Sequence, residues 1–474
     1  MNRRDFLATL AAAPLAPARP ARANIIFILL NDLGWRDFNV YGGTHHETPE
    51  VDRLAREGAR FTDAYSACPV CSPTRASILT GKYPARLHLT DWIPGRKQWP
   101  TAKLLTPAFE QQLPLGETTI AEALKPLGYR TASIGKWHLG GEGFGPDRHG
   151  FDVSIGGDAR GAIGSFFGSF PMPGLRNTTK GDYITDTLTD EAERFIEDSA
   201  KARQPFFLYL PHYTVHLPLS VHENLTAKYR ARYGDKPFPV AEYAAMVETF
   251  DHSLGRIRRK LASLNLEENT ILFVNSDNGG LRYEGSGKKL ITDNAPLRAG
   301  KGHCYEGGIR DPLIVHWPGV TKPGTVFSTP VTSTDYFPTI MEMAGGKPPR
   351  SLDGVSLAGL LKSGKAPARE ALYWHYPHYS NQGGAPSGAV RKGDWKLIEF
   401  YEDGTLELYN LKSDIGERIS LVRKEPKRVA ELHGLLKKWR ASVSASMPEP
   451  NPNYDPAKAD QGLTGAEPVT PPAS

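Results

Sequence analysis

The sequence predicts an α/β fold, with a mixed, mostly parallel sheet flanked by helices and a smaller C-terminal α+β domain. Short apolar runs, typical of strands buried on both faces, alternate with segments of helical periodicity. This alternation is the pattern of a sheet that is covered by helices on both faces. The composition then changes near residues 345–352 (GGKPPRSL), and further strand-like stretches follow, which indicates a second, smaller unit.

Each element of this fold corresponds to a stretch of the sequence. The predicted strands of the main sheet are the apolar segments 24–30, 129–134, 205–210, 270–275 and 312–317. The predicted helices of the same part are 49–58, 119–127, 187–200 and 241–264. The small domain has strand-like stretches over 389–400 and 405–409 and a helix at about 425–440. We expect a large domain over 24–350, the small domain over 351–443 and an extended, Pro-rich tail over 444–474.

The first 23 residues are typical of a twin-arginine export signal. A basic pair, Arg3 and Arg4, precedes a modest apolar stretch and the small-residue site that ends at Ala23. The apolar run is shorter than the ~20 residues of a membrane span and contains prolines, so a membrane anchor is disfavoured. We therefore expect a periplasmic or extracellular protein without a stable membrane span that uses the twin-arginine export machinery.

Charge and cysteine content exclude two classes of protein. The chain of 474 residues has 57 basic and 52 acidic residues, and the basic ones are dispersed, which argues against a nucleic-acid partner but permits an anionic substrate. The three cysteines, Cys68, Cys71 and Cys304, are too few for a disulfide scaffold. Because their number is odd, at least one thiol is unpaired within the chain.

Polar residues follow four of the predicted strands. These residues are Asn31, Asp32, Lys136, His138, His216, Asp277 and Asn278. Any one of them could be an ordinary turn or cap residue. However, ligands of open α/β sheets bind in the crevice beyond the carboxyl ends of the strands. Polar residues after four separate strands therefore favour a binding site over four unrelated turns.

The residue types indicate a cation next to an anion. Asn31, Asp32, Asp277 and Asn278 supply only oxygen donors, which Ca²⁺ or Mg²⁺ prefers and Zn²⁺ does not. A second group supplies positive charge or hydrogen-bond donors for an anionic group beside the metal. This group consists of Arg75, Lys136, His138, His216 and Lys301.

Cys71 opens a predicted helix in the segment CSPTRASILTGK. Ser72 is suited to cap this helix, Pro73 to its first turn and Gly81 to its end. Cys71 would then lie at a helix N-terminus, which favours a bound oxyanion. Three interpretations remain open from the residues alone: a buried structural thiol, a redox pair with Cys68 in a CxxC motif, and the precursor of a nucleophile.

The segment around Cys71 resembles the signature of the type I, formylglycine-dependent sulfatases, in CSPTR at 71–75 and LTGK at 79–82. Similar segments are NDLGW at 31–35, TPEVDRLAREGARFTDAYSA at 48–67, IGKWHLG at 134–140, HYTVHLP at 212–218, SDNGG at 276–280 and AGKGHCYEGGIRDPLIVHWPG at 299–319. LELYNLKSDIGE at 406–417 resembles the small domain of bacterial sulfatases. The resemblance implies an alkaline-phosphatase-like fold and hydrolysis of a sulfuric ester, for which we expect a sulfated small molecule or glycan as substrate.

The resemblance also implies a role for each matching residue. A formylglycine-generating maturase would oxidise Cys71, and one hydroxyl of the hydrated aldehyde would attack sulfur while the other later expels sulfate. Asn31, Asp32, Asp277 and Asn278 match the ligands of one Ca²⁺ ion. The other matches are Arg75 and Lys136 holding the diol, Lys301 clamping the sulfate, His138 as the base that helps to re-form the aldehyde, and His216 as the acid for the leaving oxygen.

One position departs from the family pattern, because Asn31 stands where an aspartate is usual. We therefore expect a weaker calcium site, or one that depends more on the sulfate of the substrate. In the aromatic stretch 373–383 of the small domain, His375, His378 and Asn381 are candidates for sugar contacts, with ordinary domain packing as the alternative.

Three other functions compete with a sulfatase. A phosphonate monoester or phosphodiester hydrolase of the same superfamily can share the formylglycine nucleophile. A CxxC thiol oxidoreductase and a glycan-binding protein without catalytic activity belong to different classes. The oxygen-donor residues at the strand ends, which suit a metal ion, disfavour the oxidoreductase. An unmodified Cys71 in the mature protein would favour the binding protein.

Overall fold

The computed structural model of the protein describes residues 22–176, 178–234, 236–284 and 289–458. The predicted export signal therefore lies almost entirely outside the described residues. Within these ranges, we find no helix with both the length and the apolar character needed to cross a membrane.

In the described residues, strands and helices alternate between Asn24 and His316, and strands dominate the C-terminal part. The strands of the described residues are β1 (Asn24–Leu30), β2 (Ala59–Tyr65), β3 (Leu104–Leu105), β4 (Arg130–Ile134), β5 (Val153–Ile155), β6 (Phe206–Pro211), β7 (Thr270–Ser276), β8 (Tyr283–Glu284), β9 (Lys289–Leu290), β10 (Arg310–His316), β11 (Thr325–Phe327), β12 (Val331–Thr332), β13 (Leu372–Tyr376), β14 (Ser387–Lys392), β15 (Trp395–Phe400), β16 (Leu406–Asn410) and β17 (Glu449–Pro450). The α-helices are α1 (Pro49–Glu57), α2 (Cys71–Thr80), α3 (Pro84–Leu87), α4 (Ile120–Leu124), α5 (Ile184–Lys201), α6 (Glu223–Tyr233), α7 (Ala241–Ser263), α8 (Glu306–Ile309), α9 (Tyr336–Met343), α10 (Ala358–Ser363) and α11 (Pro426–Ser442).

The main sheet has nine strands in the order β11-β2-β10-β7-β1-β6-β4-β5, with β12 also paired to β2. The central strand β1 is parallel to both of its neighbours, β7 and β6. Only β10 runs against its neighbours, since it is antiparallel to β7 and to β2. The predicted mixed, mostly parallel sheet is therefore confirmed.

Both faces of this sheet are buried under helices, which explains why β1 is apolar at consecutive positions. Ile26 points into the cluster that contains Leu188 of α5, whereas its neighbour Phe27 packs on the other side with Ile78 of α2. Successive side chains of a strand point to opposite faces, so a strand covered on both sides needs apolar residues throughout. The five predicted strands lie within two residues of their observed bounds.

The second sheet is antiparallel, in the order β13-β14-β15-β16, and α11 packs against it. The predicted single stretch over 389–400 is wrong, because it is a hairpin that turns at Gly393, where φ is 58°. The helix predicted over 119–127 is also too long. It ends at Leu124 and continues as a 3₁₀ turn over Lys125–Leu127, since Pro126 cannot supply the amide that an α-helix needs.

Candidate active site

The side chains that follow β1 and β7 meet at the carboxyl edge of the main sheet. The backbone amide of Asp32 donates to Oδ1 of Asp277 at 3.2 Å, and the amide group of Asn278 donates to Oδ1 of Asp32 at 2.9 Å. These residues and Asn31 are fully buried. The structure therefore brings together the four predicted metal ligands, because β1 and β7 are adjacent parallel strands that end at the same edge.

The donor set suits a hard cation. It consists of two carboxylates and two amides, and Oδ1 of Asn278 is buried without a hydrogen-bond partner, an acceptor that a cation would satisfy. Among the described residues, no group of three or more His, Cys, Asp and Glu side chains is arranged to hold a metal, so a zinc-type site is not found there. The residues present fit Ca²⁺.

Three buried cations surround these oxygens. Arg75 donates to Oδ2 of Asp277 from Nε at 3.0 Å and from Nη2 at 2.8 Å. Nζ of Lys301 lies 2.8 Å from Oδ2 of Asp32. Nζ of Lys136 lies 3.0 Å from the side-chain amide group of Asn31, whose other polar atom faces Asp277 and Asp32.

These contacts govern the charge states of the site. Burial alone would raise the pKa of Asp32, but the nearby Lys301 and the other positive groups hold that pKa below its usual range. Burial lowers the pKa of Lys136 to about 8, so its ammonium still carries a charge at neutral pH. The pKa of Lys301 is raised instead, since the attraction of Asp32 outweighs the effect of burial.

The helix α2 begins at Cys71 and ends before Gly81, which adopts the predicted left-handed conformation with φ of 68°. The prediction that Ser72 caps this helix is wrong. The residue before the helix is Val70, and Ser72 lies inside the first turn, where its hydroxyl accepts a hydrogen bond from the backbone amide of Ile93 at 3.1 Å. This bond fixes the segment around Ile93 beside the start of α2.

Cys71 and His138 are in contact, with 3.3 Å between Sγ and Nδ1. The other ring nitrogen, Nε2, lies 2.5 Å from the carbonyl oxygen of Ile93, so Nε2 carries the hydrogen and Nδ1 presents its lone pair to Cys71. Burial lowers the pKa of His138 well below its usual value, which keeps the ring neutral. The pair has the geometry of a base next to a group that releases a proton.

Two parts of this arrangement were not predicted. The carbonyl of Ile93 leaves no signal in a sequence, because every residue has one. The Cα of Gly161 packs against the ring of His138, and a Cβ at Gly161 would lie 2.5 Å from Nε2. The only sequence signal for this contact is the glycine-rich composition of residues 156–164.

His216 reaches the same site from the loop after β6. Its Nε2 lies 3.6 Å from Oδ2 of Asp32, and its Nδ1 lies 2.8 Å from the carbonyl oxygen of Leu217. Burial lowers the pKa of His216 to about 4, an effect that the nearby Asp32 only partly offsets. The structure thus places His216 beside the metal-type residues, with a neutral ring at neutral pH.

Comparison with known proteins decides the family. The sulfatase family model matches residues 23–346, and a model named N-sulphoglucosamine sulphohydrolase, C-terminal, matches residues 300–442. The chain belongs to the sulfatase family. It is therefore an enzyme that hydrolyses sulfate esters, and the predicted alkaline-phosphatase-like fold is confirmed by structural neighbours of that family.

Relatives of this sulfatase include proteins that are similar over most of the chain. A sulfatase from Formosa agariphila is 31% identical, with 88% of each chain covered. The N-acetylgalactosamine-6-sulfatase of Homo sapiens is 34% identical over 76% of this chain and 69% of its own. A crystal structure of Ps i-CgsB in complex with k-i-k-neocarrahexaose has a TM-score of 0.76 and 28% identity, covering 92% of this chain and 96% of the other.

The thiols of this sulfatase do not have the features of a redox pair. Cys68, Cys71 and Cys304 are all free and buried. Burial raises the pKa of Cys68 well above its usual value and that of Cys304 to about 11, whereas a redox-active cysteine needs a lowered pKa. The structure therefore disfavours the CxxC oxidoreductase.

The three candidate sugar contacts in the small domain have different surroundings. Both ring nitrogens of His375 are bonded, to the hydroxyl of Tyr401 at 2.8 Å and to the carbonyl of Ser446 at 2.9 Å. His378 is also buried, and its Nε2 lies 2.8 Å from the hydroxyl of Thr90. These contacts favour the packing interpretation for both histidines.

Asn381 differs from the two histidines because it is exposed. Its neighbour Ser380 packs against Gly302, the residue after Lys301. The backbone carbonyl of Gln382 lies 3.1 Å from Nε2 of His303. The loop that carries Asn381 is therefore close to the active site, and Asn381 remains a candidate for a substrate contact.

Proposed function

We propose that this sulfatase removes sulfate from a carbohydrate, uses one Ca²⁺ ion, and has its Cys71 converted to formylglycine. The main support is the position of Cys71 at the start of α2, with Sγ 3.3 Å from Nδ1 of His138. Cys71 is also close enough to Lys136 and Lys301 to influence their pKa values. A nucleophile at this position would have a proton acceptor on one side and two cations for an anionic substrate nearby.

The side chains around Cys71 have separate tasks in this proposal. A hydrated formylglycine supplies a hydroxyl nucleophile and a second hydroxyl that permits release of the sulfate. His138 accepts a proton at Nδ1 because the carbonyl of Ile93 holds the hydrogen on Nε2. Lys136 and Lys301 neutralise charge on the sulfate oxygens. Arg75 positions Lys136, because its Nη1 donates to the backbone carbonyl of Lys136 at 2.8 Å.

Asn31, Asp32, Asp277 and Asn278 would hold the calcium ion. Such an ion polarises sulfate oxygens and lowers the pKa of a neighbouring hydroxyl. The support is the buried oxygen donor set and the unpartnered Oδ1 of Asn278. The side chain of His216, next to Asp32, is 19% exposed, so its ring can reach a leaving oxygen. An anionic substrate next to this ring would raise its pKa towards the range a proton donor needs.

The proposed substrate is a sulfated sugar. Two relatives support this class, since one is an N-acetylgalactosamine-6-sulfatase and another was crystallised with k-i-k-neocarrahexaose. Asn381 is our candidate for a sugar contact. The sequence of residues 1–23 supports export through the twin-arginine machinery to the periplasm or the extracellular space, and a maturase would act on Cys71 beforehand.

Mass spectrometry tests the nucleophile directly. Conversion of the CH₂SH group of Cys71 to an aldehyde lowers the mass of its tryptic peptide by about 18 Da, whereas Cys68→Ser should leave this conversion intact. We expect Cys71→Ala to fold and to lose aryl sulfate turnover. An unmodified Cys71 in fully active enzyme, or full activity of the alanine variant, would contradict the proposal.

Two substrate comparisons test the specificity. Turnover of an aryl sulfate should exceed that of the matching aryl phosphodiester, and the reverse order would favour the phosphonate monoester or phosphodiester hydrolase. A panel of defined sulfated mono- and oligosaccharides, with release of inorganic sulfate as the readout, tests the sugar. Hydrolysis of aryl sulfates alone would count against a carbohydrate substrate.

A further inference from the structure

The carbonyl group that orients His138 belongs to a loop that contacts the small domain. Residues 90–96 form this loop, and Ile93 lies at its middle. The backbone amide of Ile93 donates to the hydroxyl of Ser72 at 3.1 Å, and its carbonyl oxygen lies 2.5 Å from Nε2 of His138. The position of the His138 ring next to Cys71 therefore depends on what holds the 90–96 loop in place.

The carboxyl group of Asp91 lies inside this loop. Its Oδ1 accepts from the backbone amide of Trp92 at 2.9 Å, and its Oδ2 faces Gly95, where an added Cβ would lie 3.5 Å away. The same Oδ1 accepts from the hydroxyl of Tyr376, a residue of β13, at 3.0 Å. Asp91 and Tyr376 are both buried. One buried hydrogen bond thus joins the small sheet to the carboxyl group that holds the loop together.

The two ends of the loop contact the same segment of the small domain. Oγ1 of Thr90 lies 2.8 Å from Nε2 of His378, and Nη1 of Arg96 donates to the backbone carbonyl of Ser380 at 2.9 Å. Together with the hydroxyl of Tyr376, these groups make three contacts from residues 376–380. The small domain therefore fixes the loop that carries the carbonyl bound to His138.

We propose that Tyr376 is a positioning residue for the reaction, which acts through Asp91 and the 90–96 loop on His138. This inference rests on the role of His138 as a base in the proposed function. Nδ1 of His138 has to face the hydroxyl that takes the place of Sγ of Cys71, and a shift of about 1 Å in such a geometry costs roughly 100-fold in rate. A side chain of the small domain thereby controls a proton transfer in the large one.

Substitutions on both sides of the hydrogen bond test this path. Tyr376→Phe removes only the hydroxyl, and we expect kcat for an aryl sulfate to fall roughly tenfold with KM within about twofold of the wild-type value. Asp91→Ala should lower kcat by at least as much. Asp91→Asn keeps an oxygen that accepts from Tyr376, so its kcat should stay within about threefold of wild type.

Tyr409→Phe is the matched control. It removes a buried hydroxyl that donates to Glu407 at 2.6 Å, and both residues belong to β16, at the opposite edge of the small sheet from β13. We expect kcat of this variant to equal that of the wild-type protein. A tenfold loss in Tyr409→Phe as well would mean that any lost hydroxyl of the small sheet lowers activity, and it would overturn the specific role of Tyr376.

A double-mutant cycle shows whether Tyr376 acts through His138. His138→Ala alone should lower kcat by roughly 100-fold. Tyr376→Phe should then have no further effect, whereas an independent structural effect would lower kcat by the same factor in both backgrounds. Equal factors overturn the positioning role and leave the proposed mechanism intact. Full turnover of His138→Ala overturns the base of the proposed function and the positioning role together.

Hydrogen exchange measured by mass spectrometry tests the contact without any turnover. In protein whose Cys71 is not converted, the peptide that spans residues 90–96 should exchange its amide hydrogens faster in Tyr376→Phe than in the wild-type protein or in Tyr409→Phe. Unchanged exchange in Tyr376→Phe contradicts the proposal. Circular dichroism shows whether each variant folds. If Tyr376→Phe does not fold, Asp91→Ala and Asp91→Asn carry the test, and equal kcat values for these two overturn the proposal.

Discussion

A buried cluster of charges joins the two sheets, and its central cation, Lys396 of β15, offers a sharp test of this structure. Nζ of Lys396 lies 2.9 Å from Glu306 and 2.8 Å from Glu417, and all three side chains are inaccessible to solvent. Glu306 also accepts from the hydroxyl of Tyr65 at 2.7 Å and pairs with Arg310 at 3.0 Å. Because Glu306 opens α8 shortly after Lys301, the cluster supports the active-site loop as well as the domain contact.

Replacing Lys396 by Met keeps an unbranched side chain that is one atom shorter and removes the charge. Two buried carboxylates then lose their shared partner, which typically costs about 3–5 kcal/mol. At roughly 2 °C per kcal/mol for a large domain, the unfolding midpoint should fall by about 6–10 °C. Differential scanning fluorimetry at a fixed scan rate measures this shift, with Lys392→Met as the control because Lys392 pairs with Glu370 and Glu431 at the surface.

The loss should also depend on pH. Burial raises the pKa of Glu417 to about 7, while Lys396 helps to lower that of Glu306 to about 2. Without Lys396 the folded-state pKa of Glu417 rises further above that of the unfolded chain, and that of Glu306 rises from below it. The folded variant therefore binds more protons than the folded unmodified protein, and it loses stability relative to that protein as pH rises. The penalty should therefore be smaller near pH 5 than above pH 7. A penalty that does not change with pH, or that equals the effect of Lys392→Met, would refute this reasoning.

Three further predictions concern the active site. Gly161→Ala should lower kcat by roughly 100-fold with little change in KM, since the added Cβ displaces the ring of His138 by ~1 Å. Gly164→Ala should retain activity, because there is open space around Gly164. Chelation of the metal should abolish turnover until calcium is added and should lower the unfolding midpoint, because an ion held only by the folded protein stabilises it; full turnover after chelation would contradict this. Asn381→Ala should raise KM for a sulfated sugar roughly fivefold, as for one lost hydrogen bond, and leave aryl sulfate turnover unchanged. His375→Ala should instead lower the unfolding midpoint, because His375 packs inside the small domain. A raised KM for His375→Ala together with a lowered midpoint for Asn381→Ala would show that His375 contacts the sugar and that Asn381 has the packing role.

The main sheet could be predicted because its strands are buried on both faces. Strand β1 is apolar at almost every position, so its pattern cannot be confused with a surface element. Strand β2 (ARFTDAY) escaped prediction because polar residues alternate with apolar ones and the run lies directly after a helix. Strand β13 was also missed, because the histidines of this aromatic stretch were considered as candidates for sugar contacts rather than as part of a strand. Its burial depends on partners that are distant in the chain, such as Ser446 and Tyr401.

The sequence alone determined the chemistry available to this protein. Carboxylates, amides, lysines and histidines follow the apolar strands, and the segment around Cys71 has the residue types of a sulfatase signature. These features are residue types and their positions relative to apolar runs, and both can be read directly from the sequence.

Only the tertiary structure decided how these groups act on each other. It paired Cys71 with Nδ1 of His138, selected the ring tautomer through the carbonyl of Ile93, and placed the side-chain amide of Asn31 between Lys136 and two carboxylates. It also buried His375 and left Asn381 exposed. The physical reason is that tautomers, amide orientations and charge balance arise from contacts within about 3 Å between distant segments. Residue type and spacing do not contain that information.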